Sequence, residues 1–501
     1  MTHVTETIDL LVIGGGINGA GIARDAAGRG LGVVLCEKDD LAAHTSSAST
    51  KLIHGGLRYL EQGRLRLVRE ALAEREVLLN AAPHIVRPLR FILPHDTGQR
   101  PAWLLRLGLW LYDTLAGRKR LAPTTKVDLH ATPHAGALDN RLKTGFEYSD
   151  CWVDDARLVI LCALDAKQRG ATILTHTKFV SAERLDDRWR ATLESADGGQ
   201  TTVEARALVN AAGPWVGSVL ASTTPDAAGT APRLIKGSHI VTRRLYDGDH
   251  AYIFQAADKR VIFAIPFERD YTLIGTTDVA YDADPDTVEI SPEETDYLCR
   301  AISAYFAKPV RPDQIVWSYA GVRPLYDDES DDPSSVTRDY VLKLDAPPDA
   351  APLLSVFGGK ITTFRKLAEQ AIDTLSPKVS SRRGAWTKHA PLPGGDVPRA
   401  DFNAYTAESR DRYPWLPADL LDRLLRTYGT RIHDVLCDAK NLADLGRDFG
   451  AGLTEAELRA LTTHEWARTA DDVLWRRTKL GLCMTADQRA AVVAWLCDRA
   501  R

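Results

Sequence analysis

From Ile8 the chain runs as an unbroken apolar stretch, IDLLVI, of strand length. It stops at Gly14-Gly15-Gly16, continues as AGIARDAAGRG with helical spacing, and returns to an apolar run, VVLCE. Residues 8–37 therefore predict strand, glycine turn, helix and strand, a βαβ unit whose parallel strands belong in a doubly wound sheet. DDARLVILCALDAKQRG (154–170) has the length and periodicity of a helix, followed by a short strand at ATILTHT and a hairpin that turns at Asp197-Gly198-Gly199. From about 235 to 277 the period changes to two: AYIFQ, RVIFAIP and YTLIGTT are separated by polar turns, which predicts an antiparallel meander and a second layer. At 353–376 strand, Gly-Gly and helix recur, so the first architecture resumes after an insertion. Beyond PLPGGD (391–396), expected to be a linker, Leu, Ala, Arg and Asp recur at helical spacing and predict a separate all-α domain.

A chain of 501 residues is long enough for several cores at about 100–200 residues each. With 63 Lys plus Arg against 67 Asp plus Glu there is no cationic field of the kind nucleic-acid binding needs, so any anionic partner must be captured locally. Seven cysteines never approach CxxC spacing, which excludes a zinc knuckle or a thioredoxin-type pair, and no metal site is expected. His464-Glu465 lacks the second histidine of a zinc-protease helix, because position 468 is arginine. The N-terminal apolar run ends at glycine too early for a signal peptide, and no stretch reaches the roughly 20 apolar residues of a spanning helix. A cytoplasmic location is expected.

The glycine turn is the first carrier of chemistry. Gly14 permits the tight bend, Gly16 lets backbone approach a pyrophosphate, and Gly19 allows close packing of helix on strand, with the helix N-terminus facing the negative charge. Glu37 follows eighteen residues after Gly19 at the end of the second strand, where its carboxylate can accept from ribose hydroxyls. This predicts a dinucleotide site for FAD or NAD rather than a 2′-phosphorylated cofactor. The long polar segment DLAAHTSSASTKLIHGGLRYLE, the small-residue strand end LVNAAGPW, and Phe357-Gly358-Gly359-Lys360 opening a helix favour FAD, since a helix N-terminus aimed at a flavin stabilises the charge that arrives with a hydride.

GGGINGAGIARDAAGRG, TSSASTKLIHGGLRYLE, EALAEREVLL, RLIKGSHIV, IGTTD, GVRPLYDDE and FGGKITTFRKLAE occur in the order and character of the FAD-dependent, quinone-linked glycerol-3-phosphate dehydrogenases, and this resemblance extends to about residue 375. It implies an α/β plus α+β fold: a FAD-binding doubly wound parallel sheet, an antiparallel-sheet substrate cap like that of D-amino-acid and glycine oxidases, and an all-α C-terminal domain. The expected division is 1–85, 150–230 and 345–390 for the FAD-binding part, 86–149 and 231–344 for the cap, and 391–501 for the helices. The implied reaction is oxidation of sn-glycerol 3-phosphate to dihydroxyacetone phosphate, with electrons passed to membrane quinone. Implied cofactor contacts, to noncovalent FAD, are Gly14, Gly16, Asn18, Gly19, Glu37, Lys38, Thr45, Ser46, Ser47, Leu52, Gly213, Gly358, Gly359 and Thr362. The implied substrate cage is Arg58, Tyr59, His239, Arg323, Arg338 and Lys360, with His239, Arg323 and Lys360 catalytic.

These residue types suit that chemistry. A phosphate monoester carries roughly −1.5 to −2 charges at pH 7 and calls for cations with rigid donors. Removing a hydroxyl proton as hydride leaves needs a base near working pH, which suits His239, while His54 beside the cofactor loop has a structural alternative, and Thr277 and Asp278 are candidates for the pocket wall or a turn. On a helix at 101–120, Trp103, Leu107, Trp110, Leu111 and Leu115 share one face and Arg118, Lys119 and Arg120 close the end. Both an interfacial helix and a buried cap helix fit, and a bilayer-soluble acceptor favours peripheral membrane contact at the cytoplasmic face. The competing activities are an oxygen-reducing glycerol-3-phosphate oxidase and a flavin-dependent amino-acid or amine oxidase. Monomer and homodimer both stay open.

Overall fold

The computed structural model describes every residue except 1, 4–6, 62, 97–100, 116, 118–119, 225–231, 257, 327–338, 380, 382 and 501. Two sheets organise it. In the first, Ile8–Ile13 lies parallel to Gln200–Asn210 on one side and to Val33–Cys36 on the other. Leu353–Phe357 and Thr172–Leu174 extend the parallel order outward, and Val341–Asp345 adds an antiparallel edge. The central strands are apolar without alternation because both faces are covered. Helices Ile17–Gly28, Asp155–Gln168 and Phe364–Val379 close one face over Leu10, Val12, Val209 and Val356, and Trp189, Val203 and Val216 pack beneath the other.

The second sheet is the predicted meander. Arg233–Arg243, Tyr271–Gly275, Val261–Phe267 and Ala251–Gln255 pair in antiparallel order. Ile315–Leu325 runs antiparallel along the outer side of Arg233–Arg243, and Ala251–Gln255 joins Val86–His95, Thr144–Val153 and Leu52–Ile53. Two segments depart from the expected division. Leu52, expected at the cofactor, pairs with Trp152 and is buried in the cap core, because the polar segment after the glycine turn crosses from one sheet to the other. Val341–Asp345 returns to the first sheet before residue 345.

The C-terminal region is helical as expected, with Ala418–Tyr428, Glu455–His464 and Ala486–Ala500 around a core that includes Leu421, Leu425, Leu458, Leu461 and Val492. It is not a separate body on a slack linker. Within PLPGGD, Leu392 is buried in the main core and its N–H donates to the Ala81 carbonyl at 2.8 Å, while the Thr430 N–H donates to the Gly394 carbonyl at 3.1 Å. Arg157 of the first domain forms a buried two-pronged pair with Glu465, and Asp40, just past the second strand, accepts from Arg476 at 2.7 Å and from Arg477 at 2.8 Å. On the cap side Trp475 stacks on Trp317 with centroids 4.9 Å apart.

Helix Ala102–Thr114 settles between its two readings by exposure. Leu109 and Tyr112 are buried against the cap, with the Tyr112 hydroxyl donating to Asp150 at 2.7 Å. Trp103, Leu107 and Trp110 are 68%, 52% and 61% exposed, so the tryptophan face is open. Arg118 and Lys119 lie outside the described residues, and Arg120 is tied to the Ala400 carbonyl at 2.7 Å. Among the described residues no helix is long and apolar enough to cross a membrane.

Candidate functional site

A cleft of about 380 Å³ opens between the first glycine turn and the second, lined by Gly14, Gly16, Asn18, Glu37, Lys38, Thr45, Ser46, Gly213, Gly358 and Gly359. Gly14 has φ +109°, and a Cβ there would stand 2.5 Å from the Ala211 carbonyl oxygen. A Cβ on Gly19 would stand 1.8 Å from the Gly14 carbonyl oxygen, so Gly19 sets the helix-to-strand approach without lining the cleft. Ser46 accepts from the Ile17 N–H at 2.9 Å, and Asn18 donates to the Gly358 carbonyl at 3.0 Å, tying the two turns together. Asn18 Oδ1 is left buried with no hydrogen-bond partner among the described residues.

Glu37 accepts from the Gly15 N–H at 2.7 Å and the Asp39 N–H at 2.9 Å, and burial pushes its carboxyl up from the usual range. Lys38 lies over the Trp215 ring at 4.6 Å and pairs with Asp39 and Asp286. Glu37, Asp39 and His44 lie within metal-binding reach of one another, yet both Glu37 oxygens already accept backbone N–H groups and Asp39 holds Lys38 and His44. A glycine cradle, an orphaned amide oxygen at a helix start and a carboxylate beside the second strand fit FAD.

The candidate substrate residues fall into two groups, His239 with Arg323 on the cap sheet and Lys360 with Tyr59 at the second glycine turn. His239 and Arg323 stand on neighbouring strands, with His239 opposite Tyr319 and Ile235 opposite Arg323. Arg323 Nη2 donates to the Thr277 carbonyl at 3.1 Å and pairs with Asp278 at 2.7 Å. Lys360 Nζ sits 3.7 Å above the Tyr59 ring, and a Cβ on Gly358 would lie 3.7 Å from the carbonyl of Pro324, next to Arg323. Two further contacts draw cofactor segments toward these groups: Thr45 donates to the Val322 carbonyl at 2.6 Å, and Thr362 meets the His54 backbone at 3.3 Å.

His239 is buried, with Nε2 2.9 Å from the Thr50 hydroxyl and its ring stacked on Tyr319 at 4.8 Å. Gly275 allows this, since a Cβ there would be 2.1 Å from the imidazole. Nδ1 is buried without a hydrogen-bond partner among the described residues. Burial and then the Lys51 and Arg323 charges hold the His239 pKa well below its usual value, so the ring is neutral at pH 7.

Not every expected residue joins. Arg58 lines a separate apolar cavity of about 290 Å³ with Leu104, Leu107, Leu111, Ile253 and Val261. Ser47 donates to the His44 carbonyl and does not line the cleft, nor do Leu52 and Thr362. Arg338 lies outside the described residues. Thr277 is structural: its hydroxyl donates to Glu294 at 2.6 Å and accepts from the Ser238 N–H. Thr50, Tyr319 and the buried Lys51–Asp155 pair beneath them went unpredicted, because nothing in TSSAST distinguishes the threonine that reaches across to the other sheet.

The family model described as FAD dependent oxidoreductase matches residues 9–342, and that of the C-terminal domain of alpha-glycerophosphate oxidase matches residues 385–497. D-erythritol 1-phosphate dehydrogenase of Brucella abortus is 54% identical, with 98% of each chain covered. Glycerol-3-phosphate dehydrogenase of Pseudomonas aeruginosa is 52% identical, with 98% of this chain and 96% of that one covered. The solved structure of the glycerol-3-phosphate dehydrogenase from Bacillus halodurans complexed with FAD superposes with a TM-score of 0.78 at 28% identity, covering 99% of this chain and 91% of that one. With a glycine cleft that fits the cofactor and relatives matched along nearly the whole chain, this protein belongs to the FAD dependent oxidoreductases and carries the helical C-terminal domain of the glycerophosphate-oxidising members.

Proposed function

We propose that this enzyme oxidises sn-glycerol 3-phosphate to dihydroxyacetone phosphate and passes the electrons to a membrane quinone. The observation that carries this reading is the buried, neutral His239 with the Arg323 charge beside it on the neighbouring strand, and Lys360 over Tyr59 directly after the glycine pair that lines the cleft. Bound FAD supplies the two-electron acceptor for the hydride. Gly14, Gly16 and Asn18 would hold its pyrophosphate region, Glu37 its ribose, and Gly213, Gly358 and Gly359 its far end.

In this reading Lys360 and Arg323 hold the phosphate, and Arg338 is assigned with them. The phosphate anchor brings the secondary hydroxyl to His239, whose neutral ring takes the hydroxyl proton. Thr50 on Nε2 and Tyr319 on the ring face fix the imidazole plane, leaving Nδ1 for the substrate. The apolar cavity beside Arg58 lies under Ala102–Thr114, whose open Trp103, Leu107 and Trp110 face suits a membrane interface, and this supports a lipid-soluble acceptor reaching the protein from that side.

Anaerobic addition of glycerol 3-phosphate to the yellow protein should bleach the flavin band, and re-oxidation should be fast with a soluble quinone and slow with oxygen. Fast peroxide formation without quinone would replace the dehydrogenase reading with an oxidase. The 54% identical erythritol-phosphate enzyme favours a second substrate, D-erythritol 1-phosphate, which offers the same phosphate anchor. The ratio of kcat/KM for the two phosphates decides between them, and the assignment fails if the four-carbon substrate is preferred.

A further inference from the structure

A second large cavity lies away from the cofactor cleft. About 720 Å³ in volume, it sits where three parts of the chain meet: the cap strand Val86–His95, the turn at Pro266–Arg269, and the helical domain through Phe402 and Ala418–Tyr428. It shares no lining residue with the cofactor cleft or with the cavity beside Arg58.

Most charges in its wall are spoken for. Arg423 pairs with Glu457, Arg477 with Asp40, Arg269 with Asp419 and Asp422 with Arg410. Asp401 caps a helix through the Ala404 N–H, and Asp154 meets Lys479. Three guanidiniums make no ion pair among the described residues: Arg120, held by the Ala400 carbonyl, and Arg87 and Arg426. Arg87 lies over the Trp152 ring at 4.3 Å and Arg426 over the Phe402 ring at 5.0 Å, with Glu268 and Asp249 near the first and Asp422 near the second but none in ion-pair contact. Burial, with Arg426 next in weight, pushes the Arg87 pKa down to about 10. Glu268, the neighbouring carboxyl, is shifted upward by burial.

Orphaned polar atoms line the same wall. His84 is 1% exposed and neither ring nitrogen finds a hydrogen-bond partner among the described residues, and Trp152 Nε1 is likewise buried and unpaired. Buried donors and acceptors in a roomy cavity are groups that a ligand or solvent completes.

We propose that this junction cavity binds an organic phosphate, with its phosphoryl oxygens held between Arg87 and Arg426 and its body against Phe402 and Leu89. Planar guanidiniums already seated on aromatic rings are ordered for two-pronged phosphate contact. The phosphate could be that of a soluble metabolite or of an anionic lipid headgroup, and Arg120, which follows the open tryptophan helix, lines the same cavity.

The test uses the full-length, flavin-loaded chain. Calorimetric titration with ADP reads the soluble source, with Lys360→Ala as the control for the substrate site. Co-sedimentation with phosphatidylglycerol against phosphatidylcholine vesicles reads the lipid source. In at least one arm the wild type should bind, and Arg87→Gln/Arg426→Gln should weaken that binding by roughly tenfold or more while Lys360→Ala leaves it unchanged. Arg426→Gln alone, at an exposed helix position, provides a variant whose folding is secure and should show part of the loss. Binding in neither arm, binding indifferent to both arginine substitutions, or ADP binding lost in Lys360→Ala would overturn the proposal.

Discussion

The first glycine turn and the Lys360–His239 cluster sit side by side in the cleft region, yet they are made in opposite ways. The turn takes its bends from residues 14–19 and its close contacts from a few nearby segments, Glu37 and Leu41, Ser46 and the strand end at Ala211. The cluster draws on Thr50, Tyr59, His239, Tyr319, Arg323 and Lys360, from both sheets and from segments hundreds of residues apart. A locally written element tolerates almost no change in shape. An assembled one depends on several weak anchors, each of which can fail singly.

That contrast sets an order of effects. Gly19→Val should be the most damaging change, since a side chain there collides with the Gly14 carbonyl; colourless or insoluble protein is the expected outcome, checked by flavin absorbance at purification. Gly16→Val should spare folding, because its Cβ direction meets only the Ser46 hydroxyl at 3.0 Å, and should yield soluble protein that loads little flavin. A fully yellow Gly19→Val protein would erase the distinction.

Next, Lys360→Ala should leave flavin content intact and lower kcat/KM for glycerol 3-phosphate by about a hundredfold, the worth of one charged phosphate contact. Thr50→Val, which removes the hydroxyl holding His239, should cost about tenfold in kcat with little change in KM, and Thr50→Ser should restore it. Equal losses in both parameters for Thr50→Val would mean that Thr50 shapes the pocket rather than the imidazole.

The smallest effect is a stability cost that the assembled cluster has and the glycine turn lacks. The folded-state pKa of His239 lies well below the unfolded value of about 6.5, so between the two the unfolded chain binds the extra proton. Stability from this group is therefore lost as pH falls below 6.5. The thermal midpoint of His239→Asn should decline less steeply than wild type between pH 6.5 and 5, and parallel curves would contradict the buried neutral ring.

The same contrast explains what the sequence disclosed. Strand, turn and first helix were legible because hydrophobic period and glycine spacing are local, and the meander and helical region were legible for the same reason. The site was legible only in part. Arg323, Lys360 and Tyr59 came from motifs, whereas Thr50 and Tyr319 acquire their places from the pairing of two strands that no short pattern encodes. Arg58, adjacent to Tyr59 in the chain, turns to a different cavity because successive residues of a short helix project in different directions. PLPGGD carries the composition of a flexible connector, and only the fold shows its backbone bonded on both sides.

The C-terminal helices reach both sheets at once, gripping the nucleotide-binding layer through Arg157–Glu465 and Asp40–Arg477 and the meander through Trp475–Trp317. Such a bracket ties the angle between the layers to these buried pairs, since swinging one layer against the other would have to separate them.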